Sequence, residues 1–383
     1  MKMPKGYKFG AICCGIREKL DLGVVISEKD ANVAAIFTKN SVKAWHILFD
    51  KKQIKRGKAR AILVNSGNAN ACNRNGMEAV IRMARACTKK FRIEEGKVLV
   101  ASTGVIGRDM PIEKIERGID KMCLTTDYEG FSRAIMTTDT RPKVAHESID
   151  LSGEKVGICA IAKGAGMISP NMATFLCFIL TDAAISNAML KRALIEGAEP
   201  FNRMSVDGEM STNDTVIILA NEMAGNRRIE EKNEDYCTFV KALHGVCERI
   251  AEMVVADGEG ATKVAEIRVK GAASMKDAER ACRAIANSPL FKTALHGADP
   301  NWGRMVCAIG YSGARFRKID IAVNGIPVVR NCISTGNERA FRSEMKKKRI
   351  CVEVNLGCGK YEYEVITCDL SRKYIDINAI YTT

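Results

Sequence analysis

Thr174 stands where a glycine-rich stretch meets an apolar run, in the segment KGAGMISPNMATFLCFILTDA at positions 163–183. A threonine hydroxyl is a poor nucleophile at neutral pH unless a base lies beside it. Cutting the chain before Thr174 would supply that base, because a free α-amino group titrates near ~8 whereas a lysine waits until ~10.4. One residue would then carry nucleophile and proton acceptor together. Pattern alone offers a plainer account. Phe175, Leu176, Cys177, Phe178, Ile179 and Leu180 form a run of strand length, and a β-branched residue suits the start of a buried strand.

Attack on an acyl group creates a negative oxygen that needs donors already in place, and glycine-rich turns present backbone N–H groups at low steric cost. Two stretches qualify: STGVIG at 102–107 and Gly164-Ala165-Gly166. Neither is distinctive alone, since most such loops are merely tight turns. Metal chemistry finds less support. His46, His146, His244 and His296 have no H-x-x-x-H spacing, and the 15 cysteines include the adjacent Cys13 and Cys14 but no C-x-x-C pair. Cysteines such as Cys159, Cys177 and Cys307 lie among apolar neighbours and read as small core residues in a reducing compartment.

The elements that would position these groups come from a chain of 383 residues, enough for two domains or for one large domain with an appendage. Ala59 to Asn65 reads as a buried strand ending in the turn-rich SGNANAC, and Met77 to Phe91 has helical periodicity. Val98 to Ala101 reads as a short strand running into the STGVIG loop. Pro111 suits the first turn of a helix reaching Cys123. Further helices are expected at Asn187 to Gly197 and Asp235 to Val254. Toward the C-terminus, Ile319, Ile321 and Val323 alternate up to an Asn324-Gly325 turn, and Tyr361, Tyr363 and Val365 alternate with Glu362 and Glu364. This hairpin-rich character, from about position 285, together with the earlier helices, argues for an α+β layered architecture.

The net charge of +14 is unevenly spread. Residues 1–173 hold 30 Lys+Arg against 18 Asp+Glu, and residues 174–383 hold 29 against 27. Six of the positives fall within KKQIKRGKAR at 51–60. That run lacks aromatic residues for base stacking, so a solvated face explains it better than nucleic-acid binding, and the basic balance also suits steering of an anionic small substrate. No stretch has the apolar length needed to span a bilayer, and the N-terminal MKMPKGYKFGAICCGIREK has too short an apolar patch for a signal peptide. A cytoplasmic location without membrane contact is the expectation.

Motifs along the whole chain sharpen this picture. KGAGM…PNMATF, VNSGNANAC at 64–72, STGVIG, MTTDTRPK at 136–143, FNRMSVDGEMSTNDTV at 201–216, DGEGATK at 257–263, GADPNWGRM at 297–305 and INAIY at 377–381 resemble, in order, blocks of the ornithine acetyltransferase family, also called glutamate N-acetyltransferase, of arginine biosynthesis. Phe175 stands where that family usually has methionine. Thr382 stands where it usually has arginine, a departure that bears on how the tail is anchored.

The resemblance implies a sandwich of two β-sheets flanked by helices, shared with an autoprocessing aminopeptidase group, plus a smaller C-terminal α/β part. It implies self-cleavage at Ala173-Thr174 into an alpha chain, 1–173, and a beta chain, 174–383, associated as an alpha2beta2 heterotetramer. Thr174 becomes the nucleophile, and the resemblance selects STGVIG for the oxyanion, with the Thr103 hydroxyl and the Gly104 backbone as donors. Thr137, Lys163, Thr174, Glu259, Asn378 and Thr383 become substrate contacts. Their chemistry suits an amino acid: Lys163 can meet a carboxylate, Glu259 an ammonium, and Asn378 offers a donor and an acceptor. Without the resemblance, Lys163 and Glu259 would read as ordinary surface charges. Asp207, Asp214, Asp299 and Arg304 read as mainly structural, because Asp-Gly, Asn-Asp and Asp-Pro pairs build turns and caps.

The implied reaction moves an acetyl group from N2-acetylornithine to glutamate without a metal or organic cofactor, with acetyl-coenzyme A as an additional donor in some members. The alternative on the same scaffold is an aminopeptidase or amidase in which water takes the acyl group.

Overall fold

The computed structural model describes residues 3–169 and 175–380. Ala173, Thr174 and Thr383, on which several expectations fall, lie outside the described residues. Two compact units emerge. The first comprises Met1–Gly164, Asn171–Asn202 and Met210–Ala251; the second comprises Ala165–Pro170, Arg203–Glu209 and Glu252–Thr383.

Among the described residues the strands are β1 (Tyr7–Ile12), β2 (Leu22–Phe37), β3 (Lys58–Asn68), β4 (Val98–Val105), β5 (Lys143–Leu151), β6 (Glu154–Lys163), β7 (Leu176–Thr181), β8 (Met204–Ser205), β9 (Thr215–Ala220), β10 (Val264–Ala272), β11 (Asp320–Val323), β12 (Ile326–Arg330), β13 (Ile333–Ser334), β14 (Arg349–Asn355) and β15 (Tyr361–Cys368). The helices are α1 (Trp45–Gln53), α2 (Gly76–Phe91), α3 (Ile112–Lys121), α4 (Glu129–Ala134), α5 (Asn187–Gly197), α6 (Glu234–Ala256), α7 (Met275–Ala286), α8 (Pro289–Gly297), α9 (Trp302–Tyr311), α10 (Glu338–Met345) and α11 (Arg372–Ala379). The fold is α+β, with two mixed sheets flanked by helices.

The first unit holds an eight-stranded sheet in the order β4-β3-β2-β9-β7-β6-β5, with β1 paired to β2. Both faces are covered, and this explains the continuous apolar runs in its strands. Leu22, Val24, Ala61, Leu63, Val98 and Val100 pack with Val80 and Met83 of α2 and with Ile115 and Ile119 of α3. Their strand neighbours Val25, Ile62, Val64, Leu99 and Ala101 point to the opposite face, into a cluster with Phe131, Phe178 and Leu180. Period-two alternation is therefore present in the backbone but hidden in the sequence, since both sets are apolar.

In the second unit the seven-stranded sheet runs β13-β12-β11-β14-β10-β15-β8. Here alternation is legible. Ala265, Ile267 and Val269 of β10 and Ile350, Val352 and Val354 of β14 are buried with Ala278, Cys282 and Ile285 of α7. The intervening residues form cross-strand ion pairs, Arg268 with Glu364 and Lys270 with Glu353.

Two expectations need correction. The strand expected to stop at Ala101 continues through the proposed loop to Val105, and its neighbour continues to Asn68. They extend because they pair with each other in parallel, Ser66 with Thr103 and Gly67 with Gly104, before the register shifts at Asn68. The turn-forming residues of both segments are thus drawn into the sheet by a partner distant in sequence. Cysteine usage is also more mixed than expected: Cys159 and Cys177 are buried, but Cys307 is exposed on α9. Its helix turns that side chain outward despite apolar neighbours in sequence.

Among the described residues, no helix is long and apolar enough to cross a membrane, and no group of three His, Cys, Asp or Glu is arranged to hold a metal.

Candidate active site

Among the described residues, the first unit holds its candidate residues at the ends of two strands and in one loop. Lys163 is the last residue of β6, where it pairs with Leu176 of β7. Its side chain is buried, with the residue 5% exposed, and its Nζ donates to Thr103 Oγ1 at 3.3 Å. An ammonium donating to a hydroxyl takes one of its acceptor positions and leaves the O–H as a donor for another group.

Gly104 follows Thr103 with φ +134°, a backbone conformation that side chains resist, and a Cβ there would lie 2.3 Å from the Gly67 carbonyl carbon and 2.6 Å from Asn68 N. Glycine at this position is a requirement of close backbone approach between β3 and β4. Asn213 anchors the same strand end, its Nδ2 donating to the carbonyls of Ser102 at 2.7 Å and Ala69 at 2.6 Å.

Thr137 lies in the loop between α4 and β5, and a buried carboxylate at Asp139 organises that loop. Asp139 accepts from the Thr137 N–H at 3.0 Å, from Lys143 Nζ at 2.6 Å and from the Gly164 N–H at 2.6 Å. Arg17 secures the other side, donating to the carbonyls of Met136 and Thr137 and to Ser66 Oγ. Sequence reasoning did not single out Asp139, Lys143 or Arg17 for the site. Asp139 and Lys143 do sit in the MTTDTRPK block, but in an irregular segment nothing local indicates that they meet.

Burial alone would raise the Asp139 carboxyl, but the positive charges of Lys163 and Lys143 and the hydrogen bonds from Lys143 and the Thr137 N–H override it and hold the group at about 2. A carboxyl whose folded value is depressed contributes stability above its unfolded value, near ~3.9, and loses that contribution as pH falls through the folded value. Asp139 should therefore contribute roughly 2 kcal/mol near neutral pH. In denaturant titrations, the stability difference between wild type and Asp139→Asn should shrink as the solution is taken from about pH 5 toward pH 2.

In the second unit, Glu259 follows α6 and is 8% exposed. Its backbone N–H donates to the Ala165 carbonyl at 2.8 Å, and its carboxylate accepts from Asn378 Nδ2 of α11 at 2.7 Å. Two residues 119 positions apart are thus brought into one polar pair. A Cβ on Gly166 would lie 2.4 Å from the Glu259 carboxyl carbon, so the second glycine stretch makes room for this side chain. Asp207 accepts from the N–H of Glu209 at 3.1 Å, the local turn bond its Asp-Gly pair suggests, and from the N–H groups of Met167 and Ile168 at 2.6 and 2.8 Å. Burial and the neighbouring Glu259 charge push its carboxyl upward against those hydrogen bonds. The Tyr374 phenol, also raised by burial and by Asp207, Glu259 and Glu209, completes this acidic cluster.

The family model for ArgJ matches residues 8–383. The chain belongs to the ArgJ family. It is 42% identical to the arginine biosynthesis bifunctional protein ArgJ of Caldanaerobacter subterraneus subsp. tengcongensis, with 100% of this chain and 98% of that protein covered. It is 44% identical to the glutamate N-acetyltransferase of Methanocaldococcus jannaschii, with 99% and 98% covered. The crystal structure of ArgJ from Bacillus halodurans aligns with a TM-score of 0.51 at 40% identity, over 53% of this chain and 97% of the solved one. The family expected from the motifs is the family found.

Proposed function

We infer that this chain is a glutamate N-acetyltransferase of arginine biosynthesis that cleaves itself at Ala173-Thr174 and then transfers acetyl groups through Thr174. The observation carrying this reading is the buried contact between Lys163 and the Thr103 hydroxyl in an ArgJ-family chain. It supplies a polarised donor beside a lysine suited to a substrate carboxylate.

In the proposed cycle, the Thr174 oxygen attacks the acetyl carbonyl of N2-acetylornithine, and its proton passes to the Thr174 α-amine. The negative oxygen is held by the Thr103 hydroxyl and the Gly104 N–H. The C–N bond breaks, the leaving amine takes the proton, and ornithine departs. Glutamate then attacks the acetyl-Thr174 ester with its own amine and restores the hydroxyl. Thr137 and Lys163 bind the substrate's polar backbone, Glu259 its ammonium, and Asn378 and Thr383 the remaining polar groups. Acetyl-coenzyme A as a second donor and an alpha2beta2 assembly belong to the same proposal.

Self-cleavage requires that the two fragments stay together, and the sheet order of the first unit supports this. Strands β7 and β9 follow position 174, yet they lie between β2 and β6, which precede it. Ladders from Lys163 with Leu176 to Ile158 with Thr181, and from Asn32 with Ala220 to Phe37 with Thr215, join the fragments. Parting them would expose two buried strand edges at once. Phe175, the residue after Thr174, stacks edge-on against Phe201 of the same fragment at 4.5 Å and fixes the start of β7 within it.

Incubating the purified protein with N2-acetylornithine and glutamate decides between transfer and hydrolysis. N-acetylglutamate should accumulate in step with ornithine. Release of acetate in its place would establish the hydrolase alternative.

A further inference from the structure

Asp139 gathers more of the first unit's candidate site than any of the residues assigned to it. Its carboxylate receives the N–H of Thr137, the N–H of Gly164 directly after Lys163, and the ammonium of Lys143. The Asp139 and Lys143 side chains are both fully shielded from solvent, and Lys163 acts electrostatically on the same carboxylate. One buried anion therefore lies among two buried lysines. Such an arrangement is costly to assemble, because each charge must leave water, and a hydrophobic trio of similar volume would often be at least as stable. Stability alone is a weak reason for it. What the charges provide is direction: a carboxylate fixed by three donors sets where neighbouring cations sit.

Resting on the functional reading above, we propose that Asp139 is a positioning residue for acetyl transfer, acting through Lys163. The carboxylate fixes the start of the Gly164 loop and the Thr137 backbone and orients the Lys163 ammonium toward Thr103 Oγ1, so that the Thr103 O–H is aimed at the oxyanion. Lys143 serves the carboxylate rather than the substrate. Asp139 touches no reacting atom; its effect reaches the reaction only through the lysine and the loop it holds.

A double-mutant cycle of Asp139→Asn and Lys163→Ala tests this, with rates referred to the folded, self-cleaved fraction. Asp139→Asn alone should lower kcat/KM at least ~30-fold, but less than ~10-fold when Lys163 is already alanine, because the route through the lysine is gone and only the held loop remains. Losses that multiply would overturn the inference and leave Asp139 a structural residue. Should Asp139→Asn fail to fold, Asp139→Glu takes its place, keeping the charge but moving it by one methylene, with the same coupling expected. If a variant is cut too slowly to yield mature enzyme, its cleavage rate, followed over time, replaces kcat/KM in the cycle. A wild type without acetyl transfer overturns the functional reading itself, before any variant is made.

Discussion

Thr174→Ala should remain a single chain of 42.0 kDa and show no acetyl transfer. Two losses coincide because one hydroxyl is asked to do both jobs. Without it, the Ala173 carbonyl has no neighbouring oxygen to receive an acyl shift, and no acetyl ester can form. Removing the nucleophile of an acyl-transfer site costs on the order of 10⁴-fold or more in rate. The substitution changes none of the described ladders that hold the first unit, so the uncut variant should keep the wild-type melting behaviour within a few degrees. Mass measurement, an N-acetylglutamate assay and a thermal melt on one preparation check all three statements.

Gly104→Ala should have the second-largest effect, and Gly107→Ala, three positions on, should be mild by comparison. Both glycines have positive φ, +134° and +86°, so both substitutions strain the backbone. Their surroundings differ. At Gly104 the new methyl would overlap the Gly67 and Asn68 backbone, whereas a Cβ on Gly107 meets nothing within 4 Å. Gly104 cannot yield without separating the paired ends of β3 and β4, and that movement carries the Thr103 hydroxyl away from Lys163. Loss of an oxyanion donor costs about 10²–10³-fold in kcat, and Gly104→Ala should fall in that range with a clear drop in melting temperature. Gly107→Ala should cost about 1 kcal/mol of stability and leave kcat within a few-fold. Equal effects at the two positions would disconnect the close backbone approach from catalysis.

The contrast also marks what could be read from sequence. Local rules sufficed for α5, whose bounds at Asn187 and Gly197 match the expectation, and nearly so for α6. They sufficed again for the hairpin turning at Asn324-Gly325, where β11 and β12 pair antiparallel. Local rules could not reveal that STGVIG and SGN pair with each other, because the partners lie some forty residues apart and each looks like a turn by composition. Nor could they reveal the insertion of β7 and β9 between β2 and β6, which is set by sheet assembly rather than by either strand.

At the candidate site the same division holds. The motif resemblance named Thr103, Lys163, Glu259 and Asn378, and the structure pairs the first two within one unit and the last two within the other. Asp139 escaped notice because its importance comes from four neighbours converging in space. On composition alone, Lys163 and Glu259 would be surface charges, as most lysines and glutamates are. Their burial reflects strand and helix ends that draw their backbones inward, and no periodicity in the sequence announces it.

Acetyl transfer by this route requires Thr174 to become a free N-terminus that carries the acetyl group, and intact mass spectrometry of the purified protein after brief exposure to N2-acetylornithine alone tests this most directly. Two masses are expected, one for residues 1–173 and one for 174–383, with a single acetyl group on the second fragment, localised to Thr174 and discharged on adding glutamate. One uncut mass of 42.0 kDa, or an acetyl group lodged anywhere else, would contradict it.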